Sequence, residues 1–220
     1  MKKSEFPEKL YEALVLHELL QFVPIGSTPA LCVPSQFLEK KLGFDLCFVD
    51  SNFNPIKRKV IMIQFKISHE YTKKKIGTHF KIELYSRDRY FQHNKLCNYN
   101  LYGSGVVAIY CAPRFITYKE LLAKIASKNI IGDSAFIKPK THIYDTKYHY
   151  ITFDSTRSYQ HSKECFECTT LNFEEILENT ESISKDTFVN NINNMNDIEE
   201  ESFCFKKTSH TYDGQYFIFF

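Results

Sequence analysis

A carboxylate, a carboxamide and an amine are spaced in this chain so that two paired strands would bring them together. Asp45 stands at the start of one apolar run, and Gln64 and Lys66 lie near the end of the next. Side chains of a strand alternate between its two faces, so Gln64 and Lys66 share a face, and pairing of the two runs brings Asp45 to the same edge. A carboxylate holds a divalent cation, and an ammonium holds the attacking water or the phosphate. The pattern therefore indicates divalent-metal phosphodiester chemistry.

The surroundings of Gln64 and Lys66 favour a functional interpretation of the pair. The preceding residues 60–63 are all apolar, which predicts a strand that is buried on both faces. A buried amide needs hydrogen-bond partners, and a buried lysine is costly unless it faces a charged cleft. For Asp45 there is a simpler, structural interpretation, in which its side chain only caps a strand or a turn.

The hydrophobic pattern predicts a mixed α/β layer structure. An opening helix is expected over residues 8–22, with Leu10 and Leu14 on its apolar stripe. A second, short helix is expected to begin after Ser35 as its N-cap and to end at Gly43.

The remaining elements follow from alternation, apolar runs and capping signals. Further strands are expected over residues 44–49, 59–68, 79–85, 105–112, 134–138 and 148–153, and further helices over 88–100, 117–128 and 171–179. The last but one of these helices carries a capping box, formed by Thr117 and Glu120. Residues 154–168 are expected to form a loop, and residues 190–201 a linker. The aromatic end, 212–220, is expected to dock as a strand.

Charge divides the chain into two expected parts. Residues 1–163 carry 25 Lys and Arg against 14 Asp and Glu, whereas residues 164–201 carry one Lys against 11 Asp and Glu. We expect a basic core domain over residues 1–163, and an acidic segment with an aromatic tail over 164–220 that packs on the core or on a partner protein. A basic body suits a polyanion such as nucleic acid. The acidic segment folds back over that surface, binds a basic partner, or is only solvated.

The composition, with 43% hydrophobic and 15% aromatic residues, is typical of a soluble globular protein with a sizeable core. Since no apolar run reaches about 18 residues and the start lacks an apolar signal segment, we expect a cytoplasmic protein without a membrane span. The odd number of cysteines, seven, favours reduced thiols. Cys165 and Cys168 have the spacing of half a zinc site, but no second pair follows, so two thiols are the simpler interpretation.

The spacing of Glu39, Asp45, Gln64 and Lys66 resembles the PD-(D/E)XK nuclease superfamily, in the variant where glutamine replaces the second acid. The resemblance covers roughly residues 8–112. It implies a restriction-endonuclease-like fold, in which a mixed central sheet is flanked by helices, here with an acidic C-terminal extension. Members share a helix–strand–strand–strand–helix–strand core, a divalent-metal site and phosphodiester hydrolysis, mostly of DNA.

The resemblance implies a role for each of these residues. Asp45 would be the metal ligand, Gln64 would contribute a neutral carbonyl to the metal, and Lys66 would be the catalytic lysine that orients water or stabilises the phosphorane charge. Glu39 is the first choice for the acid that the family places on a preceding helix. Two carboxylates suffice for Mg²⁺ or Mn²⁺, because such a cation keeps several waters.

Three assignments remain open at this point. Glu12 and Glu18 of the opening helix compete with Glu39 as the helix acid. Gln92 fits a glutamine that branches of the family place on the helix after the core strands. The expected contacts to the DNA backbone come from two basic runs, which are Lys57, Arg58 and Lys59, and Lys73, Lys74 and Lys75.

Two functions fit this pattern. The first is metal-dependent hydrolysis of DNA, within a defence or restriction-type system as the resemblance implies. The second is a catalytically degenerate nuclease-fold subunit that binds nucleic acid or a partner protein, since one acid of the family pattern is missing. The chain carries no glycine-rich phosphate loop, no Gly-x-Ser-x-Gly and no His-Glu-x-x-His, which argues against those other chemistries.

Overall fold

The computed structural model describes residues 1–22, 30–35, 39, 42–50, 57–73, 77–84, 91–101, 105–145, 147–162, 164–179, 183–184 and 217–218. Its helices are α1 (Glu8–Leu19, continued by the 3-10 turn Leu20–Phe22), α2 (Phe91–Tyr99), α3 (Tyr118–Ser127) and α4 (Phe173–Asn179). Its strands are β1 (Ala30–Cys32), β2 (Leu46–Asp50), β3 (Lys57–Phe65), β4 (His69–Lys73), β5 (Gly77–Glu83), β6 (Val106–Pro113), β7 (Ser134–Lys138), β8 (Tyr150–Phe153), β9 (Ser158–His161), β10 (Cys165–Leu171), β11 (Ile183–Ser184) and β12 (Phe217–Ile218).

The strands form a mixed sheet, which confirms the mixed α/β class. Their order along the sheet is β12-β1-β2-β3-β6-β7-β10-β9-β8-β5-β4, with β11 paired to β3 off this path. β3 and β6 are parallel, and the other pairs between the described strands are antiparallel. The parallel pair requires a crossover, and the described part of that crossover is the β4–β5 hairpin followed by α2.

The central strands β2, β3, β6 and β7 are covered on both faces of the sheet, and each face has its own apolar core. Val60 and Met62 of β3 point to the side of α2 and pack with its Leu96 and Tyr99. Ile61 and Ile63 point to the other side, into a core shared with α1, α3 and α4. The continuous apolar run in β3 is therefore explained by burial on both faces, as expected for a central strand.

The buried stripe of α1 differs from the predicted one. Tyr11, Val15 and Leu19 are buried, whereas Leu10 is 37% exposed. The Tyr11 hydroxyl donates a hydrogen bond to Ser134 Oγ at 2.6 Å, so a polar contact inside the core fixes the rotation of the helix. The prediction was wrong because it counted leucines and took no account of a tyrosine with a buried partner.

The loop predicted over residues 154–168 is also wrong, because it contains β9 and the first half of β10. The inward side chains of β9 are polar, so the strand has no hydrophobic alternation to reveal it. Ser158 and Gln160 are nonetheless buried, and their side chains donate to the carbonyl oxygens of Cys168 at 3.2 Å and Thr141 at 2.9 Å. Hydrogen bonds here replace the apolar contacts that usually mark a strand.

β10 is an interior strand with two different partners. Its residues 165–168 pair with β9 and its residues 169–171 pair with β7. The boundary predicted between residues 163 and 164 therefore falls inside the sheet, between two neighbouring strands. The following helix, α4, also buries Phe173 and Ile176 in the core.

Of the aromatic end, only residues 217–218 are described, and they pair with β1 as β12. The predicted linker over residues 190–201 lies outside the described residues. Among the helices of the described ranges, none has the length and apolar character that crossing a membrane would require.

Candidate functional site

The structure places Asp45 beside Gln64 at the junction of β2 and β3. The Asp45 amide donates to the Ile63 carbonyl at 2.9 Å, which extends the ladder one residue beyond the Leu46–Ile63 pair. Asp45 Oδ2 accepts two hydrogen bonds, from Gln64 Nε2 at 2.6 Å and from the Phe65 amide at 2.7 Å. The two strands therefore bring the carboxylate and the carboxamide into direct contact, on the face of the sheet that α2 covers.

A short helical turn leads into Asp45. The Glu39 amide donates to the Ser35 carbonyl at 2.8 Å, and the Gly43 amide donates to the Glu39 carbonyl at 2.7 Å. Gly43 has φ of +81°, the left-handed conformation that glycine adopts most easily after a helix, as the sequence predicted. The residues between Ser35 and Gly43 other than Glu39 and Leu42 lie outside the described ranges.

Gly43 is also a close contact between this turn and α2. A Cβ added at Gly43 would lie 2.8 Å from Lys95 Cβ and 3.2 Å from the Gln92 carbonyl oxygen. Only glycine lets the first turns of α2 approach so closely. Gln92, the predicted glutamine of the later helix, therefore has its backbone next to the residue that precedes Phe44 and Asp45.

Asp45 has an unusual protonation equilibrium because of its surroundings. The side chain is only 4% exposed. Burial, followed by the negative charge of Glu39 and a hydrogen bond to Glu39, raises the pKa of Asp45 to about 8, while the charge of Lys66 acts in the opposite direction. Burial beside a second carboxyl group therefore favours the protonated form of Asp45.

The contact between Asp45 and Glu39 decides which of the three candidate glutamates lies at the site. Glu39 is the carboxyl group hydrogen-bonded to Asp45. Glu18 is buried elsewhere, and its carboxylate accepts the amides of Ile130 at 2.8 Å and Ile131 at 3.3 Å. Of the two opening-helix alternatives, Glu18 therefore caps a loop, and Glu12 accepts a hydrogen bond from Lys9 Nζ at 2.7 Å.

Gln64 contributes an oxygen that has no hydrogen-bond partner in the described part of the chain. The residue is 1% exposed, and its Oε1 accepts no hydrogen bond from any described residue. Exchanging the amide oxygen and nitrogen would place two oxygens against each other at Asp45, so the hydrogen-bond network fixes the orientation. A buried carbonyl oxygen beside a carboxylate pair is a suitable ligand set for a hard cation such as Mg²⁺.

The donors that fit a cation are thus two carboxylates and one amide oxygen, from Glu39, Asp45 and Gln64. Within the described ranges, no group of three or more His, Cys, Asp or Glu side chains is arranged to hold a metal ion. The glutamine variant has one charged ligand fewer than a three-acid site, and any further ligands would be waters or the substrate phosphate.

Lys66 is half-buried and extends the parallel ladder between β3 and β6. Its amide donates to the Cys111 carbonyl at 3.0 Å. Its side chain lies on the same face as that of Gln64, and its charge acts on Asp45 in the direction that favours the ionised carboxylate. The amine and the carboxylate therefore face the same site from adjacent strands.

Lys9 of α1 is not among the residues predicted from the sequence. Lys9 Nζ lies 2.7 Å from Glu12 Oε2. Burial lowers the pKa of Lys9, but the hydrogen bond and charge of Glu12, together with the charges of Asp45 and Glu39, outweigh it and raise the pKa overall. Since 36 residues separate Lys9 from Asp45, no local pattern could have shown that α1 brings a second amine near the carboxyl pair.

The first turn of α1 is attached directly to the end of β3. Glu8 Oε2 accepts the Ile67 amide at 3.0 Å, one residue after Lys66. This bond explains why Lys9 and Glu12 lie near the site, although the helix packs mainly against the opposite face of the sheet.

The predicted DNA-binding residues lie in three different places. Lys57, Arg58 and Lys59 begin β3, so they lie roughly 20 Å along the strand from Gln64 at about 3.3 Å per residue. Lys73 ends β4, where it pairs with Gly77, and Lys74 and Lys75 lie outside the described residues. Of the predicted set, Gln92 has its described backbone next to the site, and contact of the basic runs with DNA stays a prediction.

Cys165 and Cys168 do not converge on a common ligand position. They are three residues apart in β10, and since strand side chains alternate, they lie on opposite faces. Cys165 is exposed and Cys168 is buried, and both are unpaired thiols.

Comparison with known proteins adds no further assignment. No protein-family model, no curated protein and no solved structure matches this chain.

Proposed function

We propose that the protein is a divalent-metal-dependent nuclease that hydrolyses phosphodiester bonds in DNA. The observation that carries this proposal is the contact of Asp45 with both Glu39 and Gln64, next to the buried Gln64 oxygen that has no partner in the described residues. Lys66 faces the same position. An acid pair, an amide oxygen and an amine at one end of the β2–β3 pair are the groups that this reaction uses.

The order of elements supports a restriction-endonuclease-like core. α1 precedes three consecutive antiparallel strands, β1 to β3, and α2 leads into β6, which runs parallel to β3. This is the helix–strand–strand–strand–helix–strand succession that the resemblance implies. The β4–β5 hairpin is then an insertion between the third strand and the second helix.

The residues of the site divide the reaction between them. Asp45, Glu39 and Gln64 Oε1 would hold the cation, which, when bound, supplies a Lewis acid and lowers the pKa of a bound water. Because the pKa of Asp45 is raised to about 8, Asp45 would have to lose its proton before it binds a cation. The Lys66 ammonium then holds the attacking water or balances the negative charge that grows on the phosphoryl oxygens. Lys9, on the α1 side, provides a second positive charge for the phosphate.

The test is cleavage of plasmid and single-stranded DNA with Mg²⁺ or Mn²⁺ by the wild type and three variants, Asp45→Asn, Glu39→Gln and Lys66→Ala. Each should lose activity by about 100-fold or more, since each removes a group that acts on the transition-state charge. Lys119→Ala and Glu174→Gln are matched controls, because both residues are exposed and belong to other helices. A wild type that cleaves nothing, or variants that cleave as fast as it does, would contradict the proposal.

A catalytically degenerate nuclease-fold subunit is the second candidate. The observation in its favour is the pKa of about 8 at Asp45, which keeps this carboxyl group uncharged at neutral pH unless a cation displaces its proton. Direct titration of the protein with Mn²⁺ separates the two functions. A cation bound by the wild type and lost in Asp45→Asn supports the nuclease, whereas DNA binding without cation binding or cleavage supports the degenerate subunit.

A further inference from the structure

A cavity at the end of α1 shares no lining residue with the Asp45 site. Its volume is about 410 Å³, within the range of roughly 300–1,000 Å³ that is usual for small-molecule pockets. It lies between the end of α1, the turn after α3, the turn between β8 and β9, and the beginning of α4. Its floor includes the buried residues Glu18, Ile131 and Phe173, and its rim is exposed and mostly polar.

One wall of this cavity is the half-buried side chain of Arg114, which follows β6. Its Nε donates to the Asp154 carbonyl oxygen at 3.2 Å. Within the described part of the chain, that is the one hydrogen bond of its guanidinium group, and the group forms no ion pair. Its terminal nitrogens are not fully enclosed, so a group in the cavity can reach them. Burial lowers the pKa of Arg114, as expected for a cation whose hydration is only partly replaced.

The acids near Arg114 have other partners. The charges of Asp133 and Asp154 both act on the pKa of Arg114, against the effect of burial. Asp133 Oδ2, however, lies 2.5 Å from Lys124 Nζ. Asp154 Oδ1 accepts the Thr156 amide at 2.7 Å. Among the described residues neither acid pairs directly with Arg114, so the guanidinium group is available to an anionic group of a ligand.

The floor of the same cavity carries a carboxylate oxygen that can still accept a hydrogen bond. The amides of Ile130 and Ile131 both donate to Glu18 Oε2, at 2.8 Å and 3.3 Å. Glu18 Oε1 accepts no hydrogen bond from any described residue, and it is not fully enclosed. Because a carboxylate oxygen has two acceptor sites, Glu18 offers Oε1 to a donor in the cavity, such as an ammonium group.

The rest of the lining limits the kind of ligand. The rim carries charges of both signs, from Lys128, Glu174 and Glu175, so it lacks the single-sign field that attracts a polyanion. Ile131 and Phe173 add an apolar patch to the floor. A small ligand that carries both charges, together with an apolar group, is complementary to this lining.

We propose that this cavity binds a small zwitterion of the amino-acid class, with its carboxylate on Arg114 and its ammonium on Glu18. A guanidinium group binds a carboxylate through two parallel hydrogen bonds, and an ammonium group donates to a carboxylate oxygen. One ligand would therefore supply the missing partner of each of the two groups. The proposal does not depend on nuclease activity, because none of these residues belongs to the Asp45 site.

The test starts with thermal melting of the full chain in the presence of each of the common L-amino acids, without DNA or added metal. At least one with an apolar side chain should raise Tm in a saturable way, because a ligand that binds the folded state stabilises it. Isothermal titration calorimetry then measures the Kd of the best ligand. The analogue that lacks the amino group and the analogue that lacks the carboxylate should each bind roughly 10-fold more weakly or worse, since each loses charged hydrogen bonds.

Two variants test the protein side of the same contacts. Arg114→Gln and Glu18→Gln each remove one charge, and each should raise the Kd by roughly 10-fold or more. Arg157→Gln and Glu178→Gln are matched controls, because both residues are exposed and lie outside the lining, and they should change the Kd by less than about twofold. Circular dichroism checks that each variant is folded. If Glu18→Gln does not fold, the amine contact is still tested by the analogue without the amino group on the wild type.

Three results would overturn the proposal. The first is that no amino acid raises Tm or gives a measurable heat of binding. The second is that an analogue with only one of the two charged groups binds as tightly as the amino acid, which would rule out a zwitterion site. The third is an equal loss of affinity in the control variants, which would place the ligand outside this cavity.

Discussion

Two buried polar clusters lie side by side on the α2 face of the sheet, and they differ in how completely their hydrogen bonds are made. One is the Asp45 site on β2 and β3. The other is built around His93 of α2, and the two adjoin where Gln64 of β3 is paired in register with Tyr110 of β6. In the first, Gln64 Oε1 has no partner in the described residues and Asp45 has a raised pKa.

In the second cluster each ring nitrogen of His93 has a partner. His93 Nδ1 lies 2.9 Å from the Tyr110 hydroxyl and Nε2 lies 2.8 Å from the Thr141 carbonyl oxygen. Gln160 Nε2 donates to the same carbonyl at 2.9 Å. A network completed by the protein stabilises the fold, whereas an incomplete one costs stability and leaves binding capacity for another group. We therefore assign buried polar residues with complete hydrogen bonds, such as His93, to structure, and those with an incomplete set, such as Gln64, to function.

The largest expected change in the free energy of unfolding comes from removing His93, the centre of the complete cluster. His93→Ala should lower the free energy of unfolding by about 3–4 kcal/mol, because it leaves a cavity and removes partners from Tyr110 and Thr141. Urea unfolding followed by circular dichroism measures this change. His17→Ala is the matched control, since His17 is exposed on α1 and should matter by less than about 0.5 kcal/mol. If His93→Ala and His17→Ala lowered the free energy of unfolding equally, His93 would not be a stabilising residue of the complete cluster.

The pH dependence of stability should reveal the same cluster. Burial lowers the pKa of His93 from 6.5 to about 4. The unfolded chain therefore binds a proton at His93 more readily than the folded protein does. The contribution of neutral His93 to the free energy of unfolding is complete above pH 6.5 and is lost as the pH falls from 6.5 towards 4. Its full size is about 3 kcal/mol. Urea unfolding at several pH values in this window gives the free energy of unfolding as a function of pH. Its slope against pH should be shallower for His93→Gln than for the wild type, and an identical slope would contradict the assignment of His93 to the stabilising cluster.

Asp45→Asn should change stability in the opposite direction. Removing a carboxyl group whose buried charge is disfavoured should raise the free energy of unfolding by about 1–2 kcal/mol in metal-free buffer at pH 8, while cleavage is lost. Thermal melting in EDTA measures the change. Asp154→Asn is the matched control with the reverse expectation, since the Asp154 carboxylate accepts the amides of Thr156 at 2.7 Å and Arg157 at 2.8 Å. If Asp45→Asn lowered the free energy of unfolding instead, the role of Asp45 would be to stabilise the fold, as expected for Asp154.

The smallest effect is expected at Gln64, and its comparison with Gln160, the buried glutamine of the other cluster, tests the difference between the clusters most directly. Gln64→Leu should change the free energy of unfolding by less than about 1 kcal/mol, because the amide bonds to Asp45 and Phe65 are lost together with a buried oxygen that has no partner among the described residues. Gln160→Leu should cost about 2 kcal/mol, since Thr141 Oγ1 loses its hydrogen bond from Gln160 and the Thr141 carbonyl oxygen keeps, among the described residues, only the bond from His93. Similar costs at both positions, measured in the same urea titration, would mean that the clusters do not differ.

The parts of the fold that the sequence predicted are those with local signals. The central strand β3 follows from its apolar run, and Gly43 from its position after a short helix. The capping box at Thr117 is confirmed, because the Glu120 amide donates to Thr117 Oγ1 at 3.2 Å and Glu120 Oε2 accepts the Thr117 amide at 2.9 Å. Each of these depends on residues that are near one another in the chain.

The parts that could not be predicted depend on distant partners. β9 is polar on its buried side because Gln160 pairs with Thr141, which no alternation pattern reveals. The rotation of α1 follows from the bond of Tyr11 to Ser134, 123 residues away. Lys9 reaches the Asp45 site because Glu8 binds the amide of Ile67. For the same reason the choice between Glu39, Glu12 and Glu18 required three-dimensional geometry.

The exchange of partners within β10 has a consequence for anyone who divides this protein into pieces. A chain cut after residue 163 loses the strand that joins β7 to β9. Two rows of backbone amides and carbonyls would then face water at once, and bare strand edges of this kind promote self-association. The basic and acidic parts therefore cannot be purified as separate fragments without aggregation, and the acidic part is best probed by charge-reversing substitutions in the intact chain.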